Sequence, residues 1–556
     1  MKLRIPDYAI FYHDGEPKNP KIAPQGYVLG KGERIEFDNS SLNTNLKNEN
    51  CEIWFDLNND ELKVYATTYS VSARYILLRW NEKMRRDIKV LGDAYERGYG
   101  DLQWSTIRPE RCMPWYIAVS NGSDSNFDYN GRFTECMGVK VCPNSMCFWQ
   151  YDTEGVSLWL DIRNGGNGTY LDGRKLECAT VLFKEYKDIS AYKSLQEFCS
   201  AMCPNPYLPD HIVYGSNNWY YAYGKSTHEE IINDTKLLME MCGGCKNPPY
   251  MVIDDGWQPN PTDAPWDTGN SGFPDMKRLQ EEMKSFGART GIWVRYLING
   301  KDGSERKITV PESWYLSRND KTFDPSHPEV LEYVAKTTKT LTQDWGFELI
   351  KHDFSTFDIF GKWGFEMQTN ITESGWSFYD KTKTSAEIVK NFYKTVKDNS
   401  NGAIIIGCNC IGHLCATLHQ LNRTGDDTSG FEWSRTQKMG VNTLAFRNCQ
   451  NGRFFMSDAD CVGITGLIPW EQNKEWLFAL SRSGSPLFVS CKHGVLNESE
   501  LAQLREAYEI ASKQADEFIP VDWMETTTPD TFLLNGEIVK FNWYTKRGNE
   551  IFTDWN

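Results

Sequence analysis

Three segments of this chain end apolar runs in groups that can move protons or form esters. Ile350-Lys351-His352-Asp353 closes with a lysine and a carboxylate side by side. Tyr250-Met251-Val252-Ile253-Asp254-Asp255-Gly256-Trp257 closes with paired carboxylates and a tryptophan, and Asn422-Arg423-Thr424-Gly425-Asp426-Asp427 supplies an arginine and two more acids. Carboxylates that share a pocket repel, so they need Lys and Arg nearby to stay ionised. Acids, tryptophans, one Lys and one Arg suit a neutral ring rich in hydroxyls, that is, a sugar. Any one of these acids alone reads more simply as a solvated loop carboxylate or a helix cap. Their recurrence after successive apolar strands argues for a site.

Glycoside hydrolysis needs two carboxyl groups flanking the anomeric carbon, one ionised to attack and one protonated for the leaving oxygen. Asp353 is the expected nucleophile, with the Lys351 ammonium lowering its pKa. The pair Asp426-Asp427 is expected to hold the proton, because adjacent like charges raise one pKa. Asp254 and Asp255 are then left to bind ring hydroxyls.

The elements that must position these groups alternate from about residue 210. Strands are expected at 212–216, 250–254, 291–297, 348–352, 403–408, 421–425, 453–458 and 486–490. Helices are expected at 227–242, 276–289, 328–345, 384–399, 411–420, 434–449 and 471–482. That count and size match one (β/α)8 barrel, whose active site lies at the C-terminal ends of its strands. A doubly wound sheet fits the alternation less well, since no Gly-rich phosphate loop follows the first strand. The strand ends deliver Trp219, Asp254, Asp255, Trp257, Trp293, Arg295, Lys351, Asp353, Cys408, Asn409, Arg423, Asp426 and Asp427, then Asp458 and Asp460. Residues 1–190 show short strand-like runs, among them 27–29, 52–55, 62–65, 73–78 and 156–160, separated by Gly, Asn and Asp clusters, which predicts a β-sandwich. Residues 190–209 read as a short helix and linker. The expected division is a sandwich at 1–190, the barrel at 191–490 and a small C-terminal β-domain at 491–556, opened by a helix at 499–513.

Composition narrows the class further. The net charge of −15 over 556 residues argues against nucleic acid and anionic membranes as partners. No run of ~18 apolar residues is present, and the first residues lack the apolar core of a signal peptide. The 16 cysteines form no regular framework and suit reduced thiols in a cytoplasmic protein. Cys242-Gly243-Gly244-Cys245 is a lone C-x-x-C, and with only 8 histidines neither a metal site nor a cofactor is expected. The 20 tryptophans exceed what a core requires and read as either sugar-stacking surfaces or aromatic-rich sheets. A homo-oligomer is left open.

At these residues the chain resembles glycoside hydrolase clan D, the α-galactosidases and α-N-acetylgalactosaminidases. It is most similar to family 36, with family 27 as a relative. The acid pair and following tryptophan match Asp254-Asp255-Gly256-Trp257, the Lys-x-Asp nucleophile motif matches Lys351-His352-Asp353, and the Arg-x-x-x-Asp acid/base motif matches Arg423 to Asp427. Trp219 and Trp293 match the aromatics after strands one and three. The resemblance implies a retaining exo-glycosidase acting by double displacement on terminal α-D-galactosides or α-N-acetylgalactosaminides, with Asp353 as nucleophile and Asp427 as acid/base. It departs where Gly425-Asp426 replaces the Ser-Asp of some relatives, which keeps Asp426 a rival acid/base. It departs again at Gly407-Cys408-Asn409-Cys410, the loop that touches the 2-substituent in relatives. A raffinose-synthase-like α-galactosyl transglycosidase would share every catalytic residue. A non-catalytic sugar-binding barrel would lack Asp353 or Asp427, and both are present.

Overall fold

In the computed structural model the described residues are 1–14, 31–36, 45–47, 49–58, 60–301, 304–513 and 517–544. The expected strand at 27–29 lies outside them.

The N-terminal part is two antiparallel sheets. One has six strands and includes Tyr8–His13, Ala73–Asn81, Met146–Asp152 and Gly155–Asp161. The other has seven and includes Cys51–Asn58, Glu61–Thr68, Phe133–Val139 and Leu176–Lys187. Alternating burial along Cys51–Asn58 shows one face turned inward and one toward water. Ala73–Asn81 is buried at all but its last residue, as a central strand should be. The helix Ala191–Met202, capped by Ser190, packs on Phe133–Val139 and leads into the barrel.

The barrel strands are Tyr214–Asn217, Tyr250–Ile253, Arg289–Val294, Leu349–His352, Ile404–Gly407, Leu421–Arg423, Met456–Asp458 with Cys461–Ile464, and Leu487–Cys491. All are parallel and follow chain order. Strand seven is split: Met456–Asp458 pairs with strand six, and Cys461–Ile464 pairs with strand eight. The sheet therefore closes on itself across Ala459 and Asp460, and Asp460 takes a left-handed φ of 69°. A single uninterrupted strand at 453–458 was the expectation; the break is the bend that lets one strand serve two neighbours at different angles. The expected helix at 411–420 is reduced to Gly412–Cys415, and that at 434–449 becomes Trp433–Arg435, a wide turn over Thr436–Asn442, and Thr443–Arg447. Wide turns of this kind occur often near functional sites.

The helix Glu498–Ala511 packs on the barrel, its Tyr508 hydroxyl donating to the Gly215 carbonyl at 3.1 Å. The chain's last described elements form a three-stranded antiparallel sheet of Phe518–Pro520, Thr531–Leu534 and Glu537–Lys540. Most of the excess tryptophan is core: Trp80, Trp115, Trp149, Trp257, Trp266, Trp476, Trp523 and Trp543 are all essentially inaccessible. No helix among the described residues is long and apolar enough to cross a membrane.

Candidate active site

Residues two apart in a strand share a face. Along strand four this sends Lys351 and Asp353 into the barrel mouth and His352 outward, where it is fully buried against Tyr296 and Phe392. Burial pushes that imidazole down to about 3, so it is a neutral packing group. Lys351 Nζ donates to Asp254 Oδ2 at 2.6 Å, Asn217 Nδ2 donates to the same oxygen at 2.7 Å, and the Asp255 N–H donates to Asp254 Oδ1 at 2.9 Å. Burial pushes the Lys351 pKa down, but Asp254 beside it, with Cys408 and Asp353, outweighs this and holds the ammonium well above its ordinary range. Asp255 accepts from Gln258 and from the Thr262 N–H, and its burial raises its pKa.

Lys351 was expected to be the partner of Asp353, and it is not. The carboxylate of Asp353 instead accepts from the Trp293 indole at 3.0 Å and from the Phe354 N–H at 2.7 Å. Phe354 adopts a left-handed φ of 61° to turn that N–H back. Trp293 is in turn locked by its carbonyl, which accepts from the Trp257 indole at 2.9 Å.

The opposite wall follows strand six. Arg423 lies under the surface and reaches Asp427 at 3.2 Å, Asp460 at 2.9 Å and the Cys408 sulfur at 3.3 Å. Asp426 is held on both oxygens, by Arg97 at 2.8 Å and Arg435 at 3.0 Å. The side chain of Asp427 remains 37% exposed while that of Asp426 is 7% exposed, so of the two only Asp427 offers the cavity a free oxygen. The expectation that adjacency would raise one of the two pKa values fails for Asp427. Burial pushes its carboxyl up, but Arg423, Arg97, Lys351 and Arg435 together pull it down to about 2.

A third wall comes from the sandwich. Residues 93–101 cross the mouth, with the Gly98 N–H donating to the Thr424 carbonyl at 2.7 Å and the Asp426 N–H to the Gly98 carbonyl at 2.9 Å. A Cβ on Gly425 would lie 2.0 Å from the Met439 carbonyl, so glycine is what lets the loop after strand six close on the wide turn at 436–442. Glu96, fully buried, accepts from Tyr99, from the Asn409 amide and from the Gly364 N–H at 2.7 Å. Its burial raises it to about 7. Arg447 anchors the strap's start at Asp93, 2.7 Å away.

Together these walls enclose a cavity of about 860 Å³. Of the residues expected from sequence, Trp219, Asp254, Asp255, Trp293, Lys351, Asp353, Asp426 and Asp427 line it. Five others stand behind the walls. Trp257 packs on Trp345 and Trp266, Arg295 is engaged in a buried ion pair with Asp358 at 2.6 Å, Asn409 holds Glu96, and Cys408 and Arg423 support the acids. Sequence reasoning missed Arg97, Tyr99, Asp101, Thr262, Phe354, Trp363, Phe365, Arg435, Lys438 and Met439. The one local signal was Arg97-Gly98-Tyr99-Gly100-Asp101, a glycine-spaced run of charge and aromatic that a plain sandwich loop does not need.

No protein-family model matches the chain, and no curated protein matches it. Solved structures do. An α-galactosidase from Thermus thermophilus in complex with p-nitrophenyl α-D-galactopyranoside aligns over 90% of this chain and 98% of its own, with 12% identity and a TM-score of 0.57. A GH36 α-galactosidase from Geobacillus stearothermophilus in complex with 1-deoxygalactonojirimycin aligns over 93% and 77%, with 11% identity and a TM-score of 0.55. A cycloalternan-degrading enzyme from Trueperella pyogenes, solved with isomaltose, aligns over 98% and 88%, with 10% identity and a TM-score of 0.53. The fold is thus a β-sandwich, a (β/α)8 barrel and a small β-sheet in the arrangement of these proteins.

Proposed function

We propose that the protein is a glycoside hydrolase, and more narrowly a retaining exo-α-galactosidase of the clan D kind. The observation that carries this reading is the joint placement of Asp353 and Asp427 in the lining of one cavity that also holds the Asp254–Lys351 pair. Solved α-galactosidases that share the fold support it.

In this reading Asp353, oriented by the Trp293 indole and the Phe354 N–H, attacks the anomeric carbon and forms a glycosyl ester. Asp427 protonates the departing oxygen, then removes a proton from the water that cleaves the ester. The ionised state of Asp427 suits the second step. The first requires a bound sugar to raise its pKa, so the kcat profile rather than the kcat/KM profile should report it. Asp426, clamped between Arg97 and Arg435, cannot turn to a leaving oxygen without breaking an ion pair. Asp254, Lys351 and Asp255 are left to bind hydroxyls remote from the reacting carbon. A fixed acceptor pair rejects a misplaced hydroxyl steeply, because buried polar groups are then unpaired.

The deciding experiment runs aryl α-galactoside, aryl α-N-acetylgalactosaminide, aryl α-glucoside and isomaltose side by side, with proton NMR of the first-formed sugar. α-Galactoside should be cleaved best, giving the α-anomer first. Preference for isomaltose, or a β-anomer appearing before mutarotation, would overturn the substrate or the mechanism respectively.

A further inference from the structure

Two aromatic rings that do not themselves line the cavity are partly in water and pack in line with one that does. Tyr223 is 40% exposed and Phe431 is 45% exposed. They contact each other, with ring centres 5.2 Å apart, and Tyr223 lies 5.2 Å from Trp219, which lines the cavity. The three rings thus form a continuous row that starts inside the site and runs out over its rim. Contiguous apolar surface of this kind marks a binding face more often than chance exposure.

The row is built to keep its place. Tyr223 ends the short helix Trp219–Ala222 in a left-handed conformation, its N–H donating to the Trp219 carbonyl at 2.8 Å. Phe431 is set by Ser429 Oγ, which accepts from the N–H groups of Phe431 and Glu432 at 2.9 and 3.0 Å. Both loops are tied to one carboxylate, Asp460, in the break of strand seven. It accepts from the Tyr220 hydroxyl, from the Thr428 N–H at 2.8 Å and from Arg423 at 2.9 Å. Arg423 also holds Asp427. The rim row and the candidate acid/base are therefore fixed to the same buried anchor, and the charge of Asp427 is felt at the Tyr223 hydroxyl.

We propose that Tyr223 and Phe431, continuous with Trp219, form the leaving-group subsite and take a neutral pyranose ring by its C–H face. This deepens the glycosidase reading and rests on it: an acid that protonates the glycosidic oxygen must have the leaving group against it, and the row starts in the cavity that Asp427 lines and continues to Tyr223, on which the charge of Asp427 acts. The natural substrate is then an oligosaccharide whose second ring stacks on the rim rather than a glycoside with a small polar leaving group.

The test compares α-galactosyl fluoride, which has no leaving ring, with an α-1,6-galactosyl-glucose disaccharide. Phe431→Ala and Tyr223→Asn are used, asparagine because it tolerates the left-handed backbone. In each variant the ratio of disaccharide to fluoride kcat/KM should fall about tenfold, since only the disaccharide loses ring contact in its transition state. An unchanged ratio in both variants overturns the subsite. So does an equal fall on both substrates, which would mean that the loops shape the galactose pocket and bind no leaving ring. So does an equal fall in the ratio of methyl α-galactoside to fluoride, because methanol needs the proton but carries no ring, and that loss would mean that the loops only position Asp427. Failure of the unaltered enzyme to cleave α-galactosyl fluoride sinks the galactosidase reading, and the subsite with it.

Discussion

The floor of the cavity and the strap across it do the same kind of work with different materials. On the floor, Asp254 comes from the end of strand two and Lys351 and Asp353 from that of strand four, parallel strands on either side of strand three, and period-two alternation aims Lys351 and Asp353 to one side. On the strap, Glu96, Arg97 and Tyr99 come from a loop of another sheet, far away in sequence from Asp353, and a few backbone hydrogen bonds, to Thr424 and Asp426 after strand six and from Gly412 to Tyr95, set their register. The floor is rigid because strands carry it. The strap is rigid because Glu96 and Arg97 are buried and satisfied by groups the barrel supplies. Chemistry that must be fixed to a fraction of an ångström sits on the floor, while the strap sets the electrostatics of the acids opposite.

If that division is right, floor substitutions cost the most. Asp353→Ala should reduce turnover by about 10⁴-fold or more, since nothing else in the cavity can form the ester. Circular dichroism should be unchanged and Tm nearly so, because the relief of removing a buried carboxylate is set against the Trp293 indole and Phe354 N–H that lose their acceptor. Retention of wild-type turnover would undo the division at once. Asp427→Asn should cost about 10²–10³-fold on a disaccharide and much less on α-galactosyl fluoride, whose leaving group needs no proton. Equal losses on both would remove the acid role, and a larger effect at Asp426 would transfer it.

The floor was legible in the sequence because barrel strands announce themselves: four apolar residues, then acids, with Lys351 and Asp353 two apart. Even there the partner differs from expectation, since sequence places Lys351 beside Asp353 while the fold pairs it across strands with Asp254. Cys408, Asn409, Arg295 and Arg423 follow or end strands as expected, yet stand behind the cavity wall, because residues that cover or engage them, such as Glu96 and Asp358, lie far off in sequence. The strap was invisible for the same reason: no local periodicity says that a sandwich loop will cross a barrel mouth. The break in strand seven was hidden because Ser457-Asp458-Ala459-Asp460-Cys461 carries no glycine or proline to mark it.

Strap substitutions should act through charge. Arg97 is one of four cations that hold Asp427 low against its burial. Removing it in Arg97→Gln raises the Asp427 pKa. An acid that must be protonated loses activity above its pKa, so the basic limb of the kcat profile should move to higher pH. The value of kcat/KM should fall about tenfold, as expected when one partner of a buried ion pair leaves the other, here Asp426, partly uncompensated. A tenfold loss with an unmoved pH profile would reduce Arg97 to a structural prop.

The smallest effect is expected at Glu96, where the strap's stability separates from its chemistry. The folded-state pKa of Glu96 is raised from an ordinary 4.5 to about 7 by burial, against the pull of Arg97 and of the donors around it. Between those values the folded protein binds the proton that the unfolded chain has released. Stability from this group is therefore present below pH 4.5, is lost progressively as pH rises to about 7, and changes no further above that. Glu96→Gln removes the titration. Its amide oxygen can still accept from Asn409, whose own orientation is fixed by the Phe357 N–H at 3.0 Å. Its NH2 then faces the Gly364 N–H, an unmet donor worth about 1 kcal/mol. At pH 5 the variant should thus melt about one degree below the wild type, and that deficit should shrink or reverse by pH 8. Turnover at the optimum should change by less than about threefold, because Glu96 stands behind the cavity wall and touches no substrate. A deficit independent of pH would show that Glu96 is ionised throughout and that its three donors, rather than its burial, decide its state.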